Sequence, residues 1–236
     1  MEDRILTHLI RFSIIVTIGL AICIVTRTKP RVRWLVASFI MIILHDYFLS
    51  NGYGRIPPFL EGLNWNWTGK IMALGVGLLF VFLIGRKRCG LTLQHNSGSW
   101  SAVLVCAFLS GIAFVSALIW GGGPGSLESI AFRLTMPGLE EEVFYRGALL
   151  ASLSLAFPIR WTVFGAETTP AFLLNSLLFG MVHGFWMTSS GLGFTAGAVL
   201  FSSVSGLVFT WLRERTGSLI LPIYMHNAWN TAYAVF

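Results

Sequence analysis

Charged residues are scarce in this sequence. They make up 11% of its 236 residues, whereas about 25% is typical of a soluble domain. Hydrophobic residues make up 55% of the chain and are concentrated in long runs. A surface with so few charges is not that of an ordinary soluble domain, so the composition indicates an integral membrane protein.

Cysteines are few, and the common hydrolase motifs are absent. Cys23, Cys89 and Cys106 have neither paired nor metal-ligand spacing, so we predict neither a disulfide framework nor a thiolate metal site. The sequence contains no HExxH zinc motif, no GxSxG nucleophile motif and no internal repeat of the kind found in many transporters. The net charge of +6 does not indicate nucleic-acid binding, because basic residues in a multispanning protein mainly set its orientation.

Apolar stretches of suitable length occur about eight times, since a bilayer core of about 30 Å needs roughly 20 helical residues. These stretches are 9–26, 34–50, 70–85, 100–120, 138–156, 170–188, 192–212 and 217–236. We therefore predict an all-α polytopic membrane bundle of about eight transmembrane helices. Residues 1–99 hold the first three and residues 100–236 the other five, with a short interfacial helix expected within 121–137.

Basic residues are concentrated in alternate connections. The first, third, fifth and seventh connections carry Arg27, Lys29, Arg31, Arg33, Arg86, Lys87, Arg88, Arg160, Arg213 and Arg215. The other connections carry fewer, with Arg55 and Lys70 assigned to a long loop around 51–69. By the positive-inside rule the basic connections are cytoplasmic and both termini are outside, so we predict a multi-pass protein of the cytoplasmic membrane.

Polar residues within the apolar stretches are informative, because a charge near the bilayer centre costs about 2.5–3.5 kcal/mol on insertion scales. Pro137 and the glycine after it predict a helix start, followed by Glu140, Glu141 and Glu142. Glu142 and Arg146 are four residues apart and can pair on one helix face. Glu141 is rotated by about 100° and is left free for chemistry. Glu140 alone is expected to be a solvated acid at the helix N-terminus.

Two further motifs place histidines in the membrane. Phe179 and His183 are four residues apart in the sixth stretch, and His226 and Asn230 are four apart in the last. Each histidine could instead be a packed residue or an interhelical hydrogen-bond partner. In the predicted topology, however, Glu141, His183 and Asn230 lie toward the outer side and His226 nearer the middle of its span, so that their depths agree within about two helical turns. We therefore predict that the three clusters form one site.

A carboxylate, two histidines and an asparagine amide form a hydrolytic set, with a base for water and donors for an oxyanion. Ser202, Ser203 and Ser205 are interpreted as small packing residues, so attack by water is preferred to an acyl-enzyme. A zinc site built from a glutamate and two histidines is the alternative. His45 and Asp46 are interpreted as a polar helix end at the headgroups, with an entrance or a supporting role as the alternative.

These residues resemble the ordered motifs of the CPBP (CAAX protease and bacteriocin-processing, or Abi) family of intramembrane glutamic endopeptidases. The motifs are Glu141-Glu142-x-x-x-Arg146, Phe179-x-x-x-His183 and His226-x-x-x-Asn230. The resemblance covers roughly residues 100–236, and the three motifs in this order are more specific than any one alone.

The resemblance implies that Glu141 and His183 activate water, without a metal cofactor, while His226 and Asn230 stabilise the oxyanion. Glu142, Arg146 and Phe179 would support the site.

A site near the outer face predicts an exported or membrane-associated protein or peptide substrate, cleaved close to the bilayer. The protein's other partner is then the lipid bilayer, with no nucleic acid involved. A non-catalytic membrane scaffold or immunity protein is the alternative from another functional class.

Overall fold

The computed structural model describes residues 2–52 and 62–236, so Arg55 and residues 53–61 of the expected outer loop lie outside the described residues. Its helices are α1 (Glu2–Val25), α2 (Val32–Asn51), α3 (Trp67–Ile84), α4 (Trp100–Trp120), α5 (Leu127–Glu142), α6 (Leu150–Ala156), α7 (Ala171–Gly184), α8 (Ala196–Thr216) and α9 (Ile220–Val235). A π-helical segment, Val143–Leu149, joins α5 to α6 without a break. The described residues thus form eight helical units.

The helices confirm the predicted all-α membrane bundle. Among the described residues, α1 to α4 and α8 are long and apolar enough to cross a membrane. The unit made of α5, the π segment and α6 contains the acidic cluster, and α7 and α9 are shorter. Polar residues and glycines interrupt the apolar runs of these three units. Most of the fully buried apolar side chains come from α1, α2, the π segment, α6 and α7.

The predicted helix start at Pro137 is wrong. Helix α5 begins earlier, where the side chain of Ser126 accepts a hydrogen bond of 3.2 Å from the backbone N–H of Ser129. It then continues through Pro137, so residues 121–137 do not form a separate interfacial helix. The backbone N–H of Gly138 donates to Oδ1 of Asn227 at 2.7 Å. A neighbouring helix can satisfy backbone groups near a proline, which is why the helix tolerates it.

The predicted sixth and seventh spans are also displaced. Instead of continuing to residue 188, α7 ends at Gly184 and is followed by an antiparallel hairpin of β3 (Phe185–Thr188) and β4 (Gly191–Phe194). Helix α1 holds this hairpin, since Arg11 Nε donates to the carbonyl of Phe185 at 3.0 Å. A second small hairpin, β1 (Trp161–Val163) with β2 (Ala166–Thr168), lies between α6 and α7.

The connections rich in basic residues meet at one end of the bundle. The N–H of Arg31 donates to the carbonyl of Ala156 at 2.9 Å, which links the connections after α1 and α6. Arg215 donates to the carbonyl of Gly98 at 2.7 Å, which links the connection before α4 to the end of α8. Their common location follows from the alternating up-and-down path of the helices.

Candidate active site

The acidic cluster lies at the end of α5 and is buried in the bundle. The side chains of Glu140 and Glu142 are fully inaccessible, and that of Glu141 is 16% exposed. Three consecutive carboxylates point in different directions around the helix. Each therefore has its own partners on neighbouring helices.

Glu141 has one engaged oxygen and one free oxygen. Its Oε1 accepts a hydrogen bond from Lys70 Nζ at 2.6 Å. Its Oε2 is buried and has no hydrogen-bond partner among the described residues. This oxygen lies 3.9 Å from Nε2 of both His183 and His226. The structure therefore brings the acid of α5 and the imidazoles of α7 and α9 to one point.

The orientation of His183 is fixed by its own helix. Its Nδ1 lies 2.7 Å from the carbonyl oxygen of Phe179, one turn earlier. A carbonyl oxygen only accepts, so Nδ1 carries the hydrogen, and in the neutral ring Nε2 has the free lone pair. Phe179 is buried against the same ring, with centroids 4.5 Å apart. The basic nitrogen of His183 thus faces Glu141.

His226 is held by the second carboxylate of the cluster. Its Nδ1 lies 2.7 Å from Oε1 of Glu142, which also accepts a hydrogen bond from Arg146 Nη1 at 3.0 Å. The imidazole stacks on Phe209, with centroids 5.2 Å apart and ring planes at 16°. The fully buried guanidinium of Arg146 lies 3.9 Å from the ring centroid of Phe179. The predicted Glu142–Arg146 pair is present, although it spans the junction of α5 with the π segment.

Asn230 lies one turn beyond His226 and borders the same space. Its Nδ2 donates to the carbonyl of His226 at 3.2 Å. A cavity of about 310 Å³ is lined by both residues and by His183. The rest of its wall is largely apolar and comes from α4, α7, α8 and α9, including Leu109, Phe201, Phe209, Met225 and Trp229. We call this space the apolar cavity.

The expected solvated role of Glu140 is wrong. Its fully buried carboxylate accepts a hydrogen bond from Lys70 Nζ at 2.6 Å and is also hydrogen-bonded to Nε2 of His45. His45 is itself buried and stacks on Phe144, with centroids 3.7 Å apart, so its side chain faces the interior of the bundle and supports the acidic cluster. Only Asp46 is partly exposed, where it pairs with His8 at 3.3 Å.

Lys70 also belongs to this cluster, although its place before an apolar stretch predicts a loop charge. The structure places it in the first turn of α3, whose N-terminus is capped by Asn66 through a 2.9 Å hydrogen bond from the N–H of Gly69. A single lysine inside the start of an apolar helix was the available signal.

The donor types also suit a metal, since a glutamate and two imidazoles can bind zinc. Within the described ranges, however, no three His, Cys, Asp or Glu side chains are arranged to hold a metal ion. The ammonium of Lys70 lies 2.6 Å from Oε1 of Glu141, and this positive charge opposes the binding of a further cation to the carboxylate. The geometry is thus closer to that of an acid–base site.

Comparison with protein families concerns the second half of the chain. Residues 123–232 match the family model described as type II CAAX prenyl endopeptidase, Rce1-like. No curated protein and no solved structure matches the chain. The match includes the acidic cluster, His183, His226 and Asn230, whereas His45 and Lys70 lie outside it.

Proposed function

From the premise that residues 123–232 form an Rce1-like, type II CAAX prenyl endopeptidase domain, consistent with the CPBP family, we propose that the protein is an intramembrane endopeptidase. In the proposed mechanism, Glu141 and His183 activate the attacking water. The observation that carries the proposal is the free Oε2 of Glu141, 3.9 Å from Nε2 of His183. A separation above 3.5 Å suits a bridging water better than a direct hydrogen bond. For a water oxygen about 2.8 Å from both atoms, the angle Oε2–water–Nε2 would be about 90°. This angle allows the water to donate one hydrogen bond to each of the two acceptors.

In the proposed reaction, this water donates one hydrogen bond to Oε2 of Glu141 and the other to Nε2 of His183. As its oxygen attacks the substrate carbonyl carbon, Glu141 takes the proton and the carbonyl oxygen becomes an oxyanion. The protonated acid then gives the proton to the amide nitrogen as the carbon–nitrogen bond breaks. The products are a carboxylic acid and an amine, so one water is consumed for each bond cleaved.

Two side chains on α9 are proposed to stabilise the oxyanion. Nδ1 of His226 faces the carboxylate of Glu142, so it acts as a donor there. Nε2 can donate as well only when the ring is an imidazolium. The proposed role therefore belongs to the imidazolium form of His226, whose Nε2 lies 3.9 Å from Oε2 of Glu141. The amide of Asn230 is the second proposed donor.

The substrate is proposed to be a membrane-associated or exported protein or peptide cleaved near the bilayer. The apolar cavity beside His183 and His226 suits an apolar segment of such a substrate. His183 is at the end of α7 opposite the basic connections, next to the β3–β4 hairpin. With those connections in the cytoplasm, the site lies toward the extracytoplasmic side of the cytoplasmic membrane.

Comparative peptidomics of membrane and secreted fractions tests the activity. Cells with wild-type protein should contain cleaved fragments that disappear with Glu141→Gln and with His183→Ala. Glu167→Gln, the same change at an exposed position of β2, is the matched control and should retain cleavage. Full cleavage in both site variants would overturn the proposal and favour a scaffold. Size-exclusion chromatography in detergent checks that each variant is folded.

The orientation has its own test by cysteine labelling in intact cells. Ser190→Cys lies in the turn of the β3–β4 hairpin, and Lys87→Cys lies in the basic connection after α3; both positions are exposed. A membrane-impermeant maleimide should label the first in intact cells and the second only after permeabilisation. The native cysteines are buried, which limits background labelling. The reverse pattern would refute an outward-facing site.

Zinc catalysis is the remaining mechanistic alternative. We expect the purified protein to retain full activity after incubation with a chelator, since the ammonium of Lys70 already occupies one oxygen of Glu141. Loss of activity that zinc restores, with one zinc per chain by elemental analysis, would replace the acid–base mechanism by a metal mechanism.

A further inference from the structure

Lys70 has a buried charge that the motifs of the site do not account for. It lies on α3, outside the matched residues 123–232, and its side chain is 13% exposed. Its Nζ is 2.6 Å from Oε2 of Glu140 and 2.6 Å from Oε1 of Glu141. Burying an ammonium is costly unless it is paired, and this one is paired twice.

The charges of the cluster show what Lys70 does. Three consecutive carboxylates, Glu140, Glu141 and Glu142, face two permanent cations, Lys70 and Arg146. Arg146 pairs with Glu142. Among the described residues, Lys70 is therefore the permanent cation that contacts the other two carboxylates, with histidine rings as their remaining ion-pair partners.

We propose that Lys70 is a positioning residue for Glu141, an inference that rests on the proposed function. By binding Oε1, the ammonium fixes the carboxylate so that Oε2 faces the imidazoles of His183 and His226. It also keeps this carboxylate ionised beside another one, which the base must be in order to accept a proton from water.

The lysine is itself held in place from α2. Glu140 also binds Lys70 and is hydrogen-bonded to His45, whose ring stacks on Phe144. The order of contacts is His45, Glu140, Lys70, Glu141. Helices α2 and α3 thus contribute to the candidate site, although its motifs all lie in the second half of the chain.

Loss of the ammonium should lower kcat and leave KM nearly unchanged, because Lys70 does not line the apolar cavity. In Lys70→Met the two carboxylates are expected to share a proton or to separate, so that Glu141 loses its role as base. The expected loss of kcat is on the order of 100-fold, the lower end of what a general base contributes. Lys70→Arg keeps the charge and should retain more activity than Lys70→Met.

A double variant separates positioning from mere charge neutralisation. Lys70→Met combined with Glu140→Gln removes one charge of each sign and restores the balance around Glu141. If Lys70 only neutralises the buried acid, the double variant should regain activity. If Lys70 positions Glu141, the double variant should be folded, as judged by its elution and thermal unfolding in detergent, and should remain at least 10-fold impaired in kcat.

The outcomes distinguish this inference from the proposed function. Full activity of Lys70→Met, or of the double variant, overturns the positioning role while Glu141→Gln is still inactive. Full activity of Glu141→Gln overturns the proposed function itself. If Lys70→Met does not fold, the double variant and Lys70→Arg provide the decisive comparison, with wild-type kcat in the double variant as the refuting result.

Discussion

Replacement of Arg146 by methionine tests whether the buried ion pair supports the site. Arg146 is fully buried, donates to Glu142 Oε1 at 3.0 Å and lies 3.9 Å from the ring centroid of Phe179. Arg146→Met keeps an unbranched apolar side chain but removes the charge. Glu142 then stays buried with one fewer partner, while His226 still lies 2.7 Å from its Oε1.

The expected cost follows from these contacts. Removing one partner of a buried ion pair costs about 3–5 kcal/mol, because the other charge is left uncompensated. Loss of a desolvated cation–π contact adds about 2 kcal/mol. The remaining contact with His226 offsets part of this loss. We therefore expect the free energy of unfolding to fall by about 3–5 kcal/mol in total.

The free energy of unfolding can be measured by titration with SDS in mixed micelles. Glu142→Gln combined with Arg146→Met removes both charges and should recover a substantial part of the stability lost in the single variant. Arg160→Met, at an exposed position before β1, is the control and should change stability by less than about 0.5 kcal/mol.

Two results would refute the reasoning about Arg146. A loss below about 1 kcal/mol would be typical of an exposed ion pair and would contradict burial of the guanidinium. A double variant as unstable as the single one would show that packing of the arginine, and not the uncompensated carboxylate, determines the cost.

Three further predictions concern other parts of the molecule. Asn230→Ala should lower kcat by about 10²–10³ with little change in KM, as for other oxyanion donors, and steady-state kinetics on an identified substrate would check this. Gly180→Ala should destabilise the protein by about 1–3 kcal/mol in the same SDS titration, because a Cβ there would lie 2.5 Å from the carbonyl oxygen of Val199 on α8. The control Gly197→Ala should be tolerated, because a Cβ at that position meets open space. Burial raises the pKa of the Cys89 thiol to about 11. Because only the thiolate reacts, maleimide labelling of Cys89 at pH 8 should be negligible in the folded protein and rapid after unfolding.

The sequence could indicate which residues form the site because each is costly to place in a membrane. Glu141, His183, His226 and Asn230 stand out as polar residues in apolar stretches, and their spacing along helices places Glu142 with Arg146. Their chemical roles are not visible in this pattern and remain predictions. The sequence does not reveal the positions of Glu140 and His45, because residues near a helix end are expected to face the solvent or the headgroups, whereas here both face the bundle interior.

The sequence by itself determined the all-α membrane architecture, since apolar runs of bilayer length in a chain with 11% charged residues can hardly form anything else. It also determined the alternation of basic connections. Only the tertiary structure decided that Lys70 lies 2.6 Å from Glu141, that α5 continues through Pro137, and that α7 gives way to a hairpin. The physical reason is that hydropathy and periodicity are local properties of a helix. The partner of a buried charge, or of a backbone N–H freed near a proline, comes instead from a distant segment through packing.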